Sequence, residues 1–253
     1  MNKLPTEQNG IIRAGHQNRV QTEHGRIIVN ETCIDAKVEK GFLRMVEDLI
    51  VEARSQILKK IDSDPFFGTT YDPYPISMKD EKIVQWMCDA SSAADVGPMA
   101  AVAGAVDRYV LEALVSVGCG YIVLDNDGDV AMKCNDPVVA VLYSGDEEIP
   151  LISSTLEPKG EMLSICTSSG KIGHSVSFGN SSLASVISRD PVLADACATR
   201  LGNLCTSSPE NAVEQVCSIA NVIGCFAAVN GQVAMCGDFP IDGLGSKTHN
   251  LVN

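Results

Sequence analysis

Residues 161–203 of the chain read EMLSICTSSGKIGHSVSFGNSSLASVISRDPVLADACATRLGN. This stretch predicts strands over 162–166, 175–178 and 183–188, with a turn at Thr167–Gly170 after the first of them. A helix follows. Asp190 is a typical N-cap residue, Pro191 suits the first helical position, and Gly202 with Asn203 marks the end. Strands followed directly by a capped helix indicate a packed domain that contains both element types.

The helix places a carboxylate and a hydroxyl on one face. Asp195 and Thr199 lie four residues apart, so their side chains project in the same direction. Oxygen atoms of this kind are the ligands that Mg²⁺ accepts. An Asp in the second turn can equally be a solvated residue, and a Thr can hydrogen-bond to the carbonyl four residues before it. On spacing alone, the structural interpretation is favoured.

The Thr167–Gly170 turn combines hydroxyl groups with exposed backbone amides. The residues Thr167, Ser168, Ser169 and Gly170 could therefore cradle a phosphate, although a plain Ser-rich turn has the same composition. Cys166 adjoins this turn. His174 follows it and stands alone, and a lone His is more often a structural residue than a catalyst.

Length, charge and segment composition set the broad limits. At 253 residues the chain can form one or two domains. A net charge of −13 and a pI near 4.6 argue against nucleic acid or an anionic membrane as a partner. The start has no apolar signal region, and no apolar run approaches the length of a membrane span. We therefore expect a cytoplasmic protein with no membrane partner.

Ten cysteines occur without a CxxC pair, so their spacing does not support a zinc site. In the cytoplasm they would be reduced thiols, and most are expected to be buried as small apolar side chains.

The rest of the chain alternates groups of strands with groups of helices. Residues 1–25 are predicted to be an irregular lead, 146–158 a polar loop, and 240–253 a loose tail. Further strands are predicted within 26–39 and at 121–125, 130–133 and 138–144, with a hairpin at 223–236 about Asn230-Gly231. Helices are predicted at 40–62, 80–93, 99–117 and 209–219. Grouped rather than strictly alternating elements favour an α+β fold.

Four segments carry a family resemblance. CTSSG at 166–170, ADACAT at 194–199, AVDRYV at 105–110 and DNDGDV at 125–130 follow the order and spacing found in the ApbE family of FAD:protein FMN transferases, over roughly residues 95–205. The GPMAAVAGA segment and the TSSG…GHSxSxG segment resemble more closely a separate branch of that superfamily, which consists of short cytoplasmic archaeal and bacterial proteins.

The resemblance implies a fold. It indicates a single ApbE-like (T-fold-related) α+β domain over 1–253, with antiparallel sheets, paired helices on one side and an internal duplication. The sequence itself shows no clean repeat.

The resemblance also implies a site. It assigns Mg²⁺ binding to Asp195 and Thr199 and places the backbone carbonyl of Ala101 at the metal. The small residues around Gly104 would lie beside the flavin of FAD or FMN, although small residues also suit packing against a sheet or a subunit partner. Two departures count against flavin transfer: Val102 stands where the family has Lys, and His174 lacks the family's Asp-Pro continuation.

Three functions follow from these observations. Resemblance to the short branch, whose methanogen members are associated with cysteine and homocysteine synthesis, implies sulfur handling through a persulfide. Cys166, which adjoins the Thr167–Gly170 turn, and His174 are the candidate catalytic residues. The alternative is a flavin-nucleotide and Mg²⁺ site, either catalytic or binding only, and the third is an interaction scaffold without chemistry. The expected partners are a small molecule or a sulfur-transfer protein. Whether the chain is an enzyme or a homo-oligomer stays open.

Overall fold

We describe the fold from a computed structural model, which covers residues 13–14, 20–144, 149, 151–168 and 179–245. The strands are β1 (Arg13–Ala14), β2 (Thr22–Val29), β3 (Thr32–Glu39), β4 (Ile122–Asn126), β5 (Asp129–Lys133), β6 (Val138–Leu142), β7 (Leu151–Leu156), β8 (Met162–Ser168), β9 (Leu183–Ser188), β10 (Val222–Val229), β11 (Gln232–Gly237) and β12 (Gly243–Gly245). The α-helices are α1 (Leu43–Ser63), α2 (Lys82–Ala94), α3 (Val102–Ser116), α4 (Pro191–Leu204) and α5 (Glu210–Cys217). Short 3₁₀ turns occupy Pro65–Gly68 and Pro98–Ala101.

Eight strands form one antiparallel sheet in the order β11-β10-β9-β8-β5-β4-β3-β2. The inner strands β4 and β9 are buried along their whole length, so both faces of the sheet are covered there. A second sheet, β1-β6-β7-β12, is also antiparallel.

The molecule has three layers. One apolar core lies between the five helices and one face of the large sheet, and it includes side chains of α1, α2, α3 and α4. A smaller core lies between the other face of the large sheet and the four-stranded sheet. The predicted α+β class and the placement of the helices on one side are both confirmed.

The topology contains the duplication that the sequence does not reveal. The first half runs β2-β3, three helices, then β4-β5, and the second half runs β8-β9, two helices, then β10-β11. In each half the strands that flank the helices pair with each other, β3 with β4 and β9 with β10. The halves join through the β5–β8 pair, so the centre of the sheet is also the boundary between them.

Several sequence predictions need correction. The predicted loop at 146–158 contains β7, because its alternating burial suits a strand of the second sheet. Thr167 and Ser168 belong to β8 rather than to a turn, since the Thr167 hydroxyl pairs with the Ser185 hydroxyl of β9 at 2.9 Å. The predicted irregular lead contains β1 and the start of β2, and the predicted tail contains β12. The predicted strand at 175–178 lies outside the described residues.

Candidate functional site

The site is built where the two halves meet. We call it the central junction, and it comprises the first turn of α3, the face of α4 that carries Asp195, and the facing parts of β5 and β8. Its organising contact joins α4 to α3, because the Asp195 carboxylate accepts a hydrogen bond from the Gly104 backbone N–H at 2.9 Å. The Ala103 N–H donates to the same carboxylate. Ala101, the N-cap residue of α3, has no side chain that could serve these amides. Asp195 therefore caps α3 from a neighbouring helix.

Helix α4 is positioned by its own cap. The Asp190 side chain accepts from the Val192 N–H at 3.0 Å, and Pro191 occupies the first helical position, as the sequence predicts. Arg108 of α3 forms an ion pair with Asp190 at 3.1 Å and lies over the Trp86 ring at 4.2 Å from its centre. These contacts fix the starts of α3 and α4 against each other, which places Asp195 at the amides of α3.

Gly104 permits this close approach. A β-carbon at Gly104 would lie 2.2 Å from the Pro191 carbonyl oxygen and 3.0 Å from the Asp195 β-carbon. Such a contact is far inside van der Waals distance, so only glycine fits. Helix α4 thus packs directly against α3 at Gly104 and leaves no space there for a ligand. Gly104 can contribute to a ligand site only through its backbone amide.

A second carboxylate enters from the sheet. Asp129, the first residue of β5, accepts from the Thr167 N–H of β8 at 3.0 Å. Asp129 keeps part of its surface exposed, while its carboxylate is directed inward toward β8. Through this bond, β8 and the predicted phosphate-binding segment are joined to the same junction as Asp195.

A third carboxylate, Asp107, lies three residues beyond Gly104 on α3 and is 1% exposed. Its Oδ1 accepts from the Asn126 side-chain amide at 3.1 Å. Its Oδ2 has no hydrogen-bond partner among the described residues. A buried carboxylate oxygen without a partner is costly, so a proton or a cation is needed to complete its surroundings.

The three carboxylates share one electrostatic environment. Burial is the main cause that raises the pKa of Asp107 and of Asp129 well above the usual range, and the Asp195 charge raises both further. Burial also raises the pKa of Asp195 to about 7, against the two α3 amides, which lower it. In the described parts of the chain, no Lys, Arg or His forms an ion pair with any of the three. The junction thus gathers three acidic groups with no cationic side chain to balance them among the described residues, and their raised pKa values favour the protonated forms unless a cation binds.

Cys166 lies against this cluster. It is 1% exposed, and its Sγ is 3.8 Å from the Pro191 carbonyl oxygen. Burial and the charges of Asp129, Asp195 and Asp107 raise the pKa of the thiol well above its usual value. A thiolate, which sulfur chemistry needs, is therefore disfavoured at Cys166 in this state of the protein.

Metal ligation at the junction would need oxygen donors of mixed type. Asp195 and Thr199 are 9% and 8% exposed, so both retain narrow access, and Ala101 is fully buried where the 3₁₀ turn joins α3. Within the described ranges, no three His, Cys, Asp or Glu side chains lie close enough to hold a metal ion. A cation here would therefore rely on a set such as Asp195, the Thr199 hydroxyl and the Ala101 carbonyl. The Asp195 carboxylate accepts two backbone N–H hydrogen bonds and has acceptor positions left, and carboxylate, hydroxyl and carbonyl oxygens are the ligand types that a divalent cation takes.

The remaining predicted site residues divide into two groups. Ser168 lies at the end of β8, and its hydroxyl is buried without a partner among the described residues. Ser169, Gly170 and His174 lie outside the described residues, so their predicted roles stay predictions.

Sequence reasoning did not assign Asp107 or Asp129 to the site. The signal for Asp107 was its position one turn after Gly104 on the small-residue stripe of α3. The signal for Asp129 was its place directly after the Asp127-Gly128 turn, where both residues have positive φ and reverse the chain into β5.

A separate cleft of about 170 Å³ lies among α2, α4 and α5, next to the Arg200–Asp95 ion pair at 3.1 Å. Its lining includes none of the junction residues. Within the described ranges, no helix combines the length and the apolar character needed to cross a bilayer.

A sequence model of the family described as AbpE bacteria matches residues 11–220. The chain belongs to this family. Its relatives include a UPF0280 protein of Methanothrix thermoacetophila, 39% identical over 202 residues that cover 78% of this chain and 84% of the relative. A UPF0280 protein of Methanocella arvoryzae is 36% identical over 214 residues, which cover 84% of this chain and 87% of that protein.

Solved structures support the same fold. The apo form of the flavinyl transferase ApbE from Pseudomonas stutzeri superposes with a TM-score of 0.61 at 12% identity, covering 86% of this chain and 94% of that one. The flavin transferase ApbE from Vibrio cholerae gives a TM-score of 0.59 at 11% identity, covering 86% and 97%. The predicted ApbE-like fold is therefore confirmed.

Proposed function

We propose that the central junction binds a flavin nucleotide together with a divalent cation. The observation that carries this proposal is the group of carboxylates at Asp107, Asp129 and Asp195, which have no cationic partner among the described residues. A bound divalent cation would offset their mutual repulsion and attract the phosphates of a nucleotide, which an acidic protein otherwise repels.

The flavin part of the proposal rests on structural likeness. The neighbouring solved structures are flavin transferases, and they share this fold over most of the chain. Asp195 and Thr199 stand at the positions that the family resemblance assigns to the metal. When bound, the cation would supply charge neutralisation for the phosphates, while Asp195, Thr199 and the Ala101 carbonyl would hold it.

We place binding ahead of flavin transfer. Val102 occupies the position where the resembling transferases carry Lys, so the chain lacks that cationic side chain beside the cation site. Three matched features remain, the α4 carboxylate, the α4 hydroxyl and the Ala101 carbonyl, and all three serve binding.

Sulfur handling through Cys166 remains a prediction, and no contact in the described residues favours it. A reactive thiol would have to leave the surroundings that now raise its pKa. Anaerobic loading with polysulfide, whose S–S bond breaks as its outer sulfur passes to the thiol and a shorter polysulfide leaves, followed by mass spectrometry of wild type and Cys166→Ser tests it. A persulfide on wild type that is absent from the variant would support it.

Thermal unfolding with matched variants tests the proposed function. We expect FAD to raise the unfolding temperature of the wild-type protein only when Mg²⁺ is present, by an amount equivalent to about 2.7 kcal/mol at one hundred times the dissociation constant. Asp195→Asn keeps an oxygen for the Gly104 amide but removes the charge, so it should fold and lose the Mg²⁺-dependent shift.

Thr199→Val should also lose that shift, because it removes only the hydroxyl oxygen that would bind the cation. Thr155→Val on β7, in the second sheet, makes the same change away from the junction and should keep the shift. A wild-type protein that FAD and Mg²⁺ leave unchanged, or an equal shift in Asp195→Asn, would refute the proposal.

A further inference from the structure

Three cysteines outside the central junction converge in the second half of the fold. Cys217 is the last residue of α5, Cys225 lies on β10, and Cys236 lies on β11, the edge strand of the large sheet. The β10–β11 register places Cys225 directly opposite Cys236, so both side chains project from the same face. That face is covered by α5, since the Cys225 thiol donates to the Val213 carbonyl of this helix at 3.2 Å.

Cys217 lies beside this pair. A β-carbon on Gly237, the residue after Cys236, would lie 2.9 Å from the Cys217 sulfur. Gly237 also has a φ of +73°, a conformation that favours glycine. The backbone at Gly237 therefore leaves room for the Cys217 sulfur next to Cys236.

The thiols differ in exposure. Cys217 and Cys236 are partly exposed, while Cys225 is buried. Burial is the main cause that raises the pKa of Cys217, and the neighbouring Cys236 raises it further. The two partly exposed thiols are the ones that an oxidant can reach from solvent, and Cys236 lies on the edge strand.

We propose that Cys217, Cys225 and Cys236 form an oxidation site in which Cys217 and Cys236 close a reversible disulfide when a hydroperoxide reaches the edge of the large sheet. The site is independent of the central junction and of its ligand.

The chemistry balances with hydrogen peroxide as the oxidant. The Cys236 thiolate attacks one peroxide oxygen, the O–O bond breaks, and the sulfur is oxidised to a sulfenic acid while hydroxide leaves. The Cys217 sulfur then attacks the Cys236 sulfur, forming the S–S bond and displacing a second hydroxide. The two thiol protons and the two hydroxides give two water molecules. A thiol reductant reduces the disulfide again by thiol–disulfide exchange.

Differential alkylation of the folded, full-length protein tests the proposal. Reduced protein is treated with substoichiometric hydrogen peroxide, remaining thiols are blocked with an alkylating agent, and the digest is analysed by mass spectrometry. We expect a peptide pair crosslinked through Cys217 and Cys236 to form before any other cysteine is modified. Treatment with dithiothreitol should return both thiols to the alkylated pool.

Variants separate this site from general thiol reactivity. Cys33 is partly exposed on β3 but contacts Arg26 rather than another thiol, so Cys33→Ser is the matched control and should leave the crosslink unchanged. Cys217→Ser should abolish the crosslink and let Cys236 proceed to sulfinic acid. The proposal would be overturned if Cys217 and Cys236 stayed free after other cysteines had reacted. It would also be overturned if the first crosslink joined any other pair. Because the wild-type measurement needs no variant, a misfolded variant would not affect this test.

Discussion

Single carboxylates determine much of the behaviour of this protein. Asp195 provides the clearest example, because one side chain caps α3 through the Gly104 amide and contributes negative charge to the central junction. Capping by a neighbouring helix needs only an acceptor atom, whereas a cation needs the charge. Substitution by Asn therefore separates the two roles within one residue.

Asp125 gives the protein a predictable dependence on pH. It lies on β4, is 4% exposed, and accepts from the Gly128 N–H at 2.9 Å. Burial, aided by the charges of Asp35 and Asp127, raises its pKa from the usual 3.8 to about 6. A raised pKa in the folded state means that folding favours the protonated form. Its contribution to stability is complete below the unfolded pKa and is lost as pH rises through the folded pKa.

We expect Asp125→Asn to flatten this part of the stability profile. Between about pH 4 and about pH 7, the free energy of unfolding of the wild-type protein should fall by up to about 3 kcal/mol more than that of the variant. The Asn side chain still offers an oxygen to Gly128, so the turn is kept. Urea unfolding at both pH values measures the difference, and parallel profiles for the two proteins would contradict it.

At the scale of elements, the contact between α3 and α4 is the feature on which the junction depends. Gly104→Ala should disrupt it, because the added methyl group would lie 2.2 Å from the Pro191 carbonyl oxygen. A backbone atom cannot relieve such a clash by a change of rotamer, as a side chain can. The gain in helix propensity is about 1 kcal/mol, while overpacking costs about 1–3 kcal/mol or more and should reach the upper end here. Denaturant unfolding should show a net loss of about 2 kcal/mol.

The control for this change is Gly120→Ala. A β-carbon there would meet only the Glu39 side chain, at 3.4 Å. We expect its stability to stay within about 0.5 kcal/mol of wild type. Equal effects of the two substitutions would show that the helix contact is looser than described.

Local signals account for the elements that the sequence predicted well. The Asp190-Pro191 cap fixes the start of α4, and the Asn230-Gly231 pair, with φ of +51° and +74°, makes the turn between β10 and β11. Thr167 was misplaced because its hydroxyl and amide are satisfied by distant partners, Ser185 and Asp129. The cluster of carboxylates likewise depends on residues far apart in sequence, so no local pattern could assemble it.

At the scale of the whole molecule, the duplication explains where the site lies. Each half supplies a hairpin, a set of helices and a second hairpin, and the β5–β8 pair joins them. The central junction therefore draws Asp107 and Asp129 from the first half and Thr167 and Asp195 from the second. Neither half contains the site alone, which is consistent with a ligand that binds across the boundary.

The most direct test of the central claim is an equilibrium titration of FAD, followed by its fluorescence, into the purified full-length protein with Mg²⁺ or with a chelator. We predict saturable binding with Mg²⁺ that weakens at least about tenfold, or about 1.4 kcal/mol, in the chelator and in Asp195→Asn. Binding of the same affinity in all three conditions, or no binding by the wild-type protein with Mg²⁺, would contradict a cation-dependent nucleotide site at the central junction.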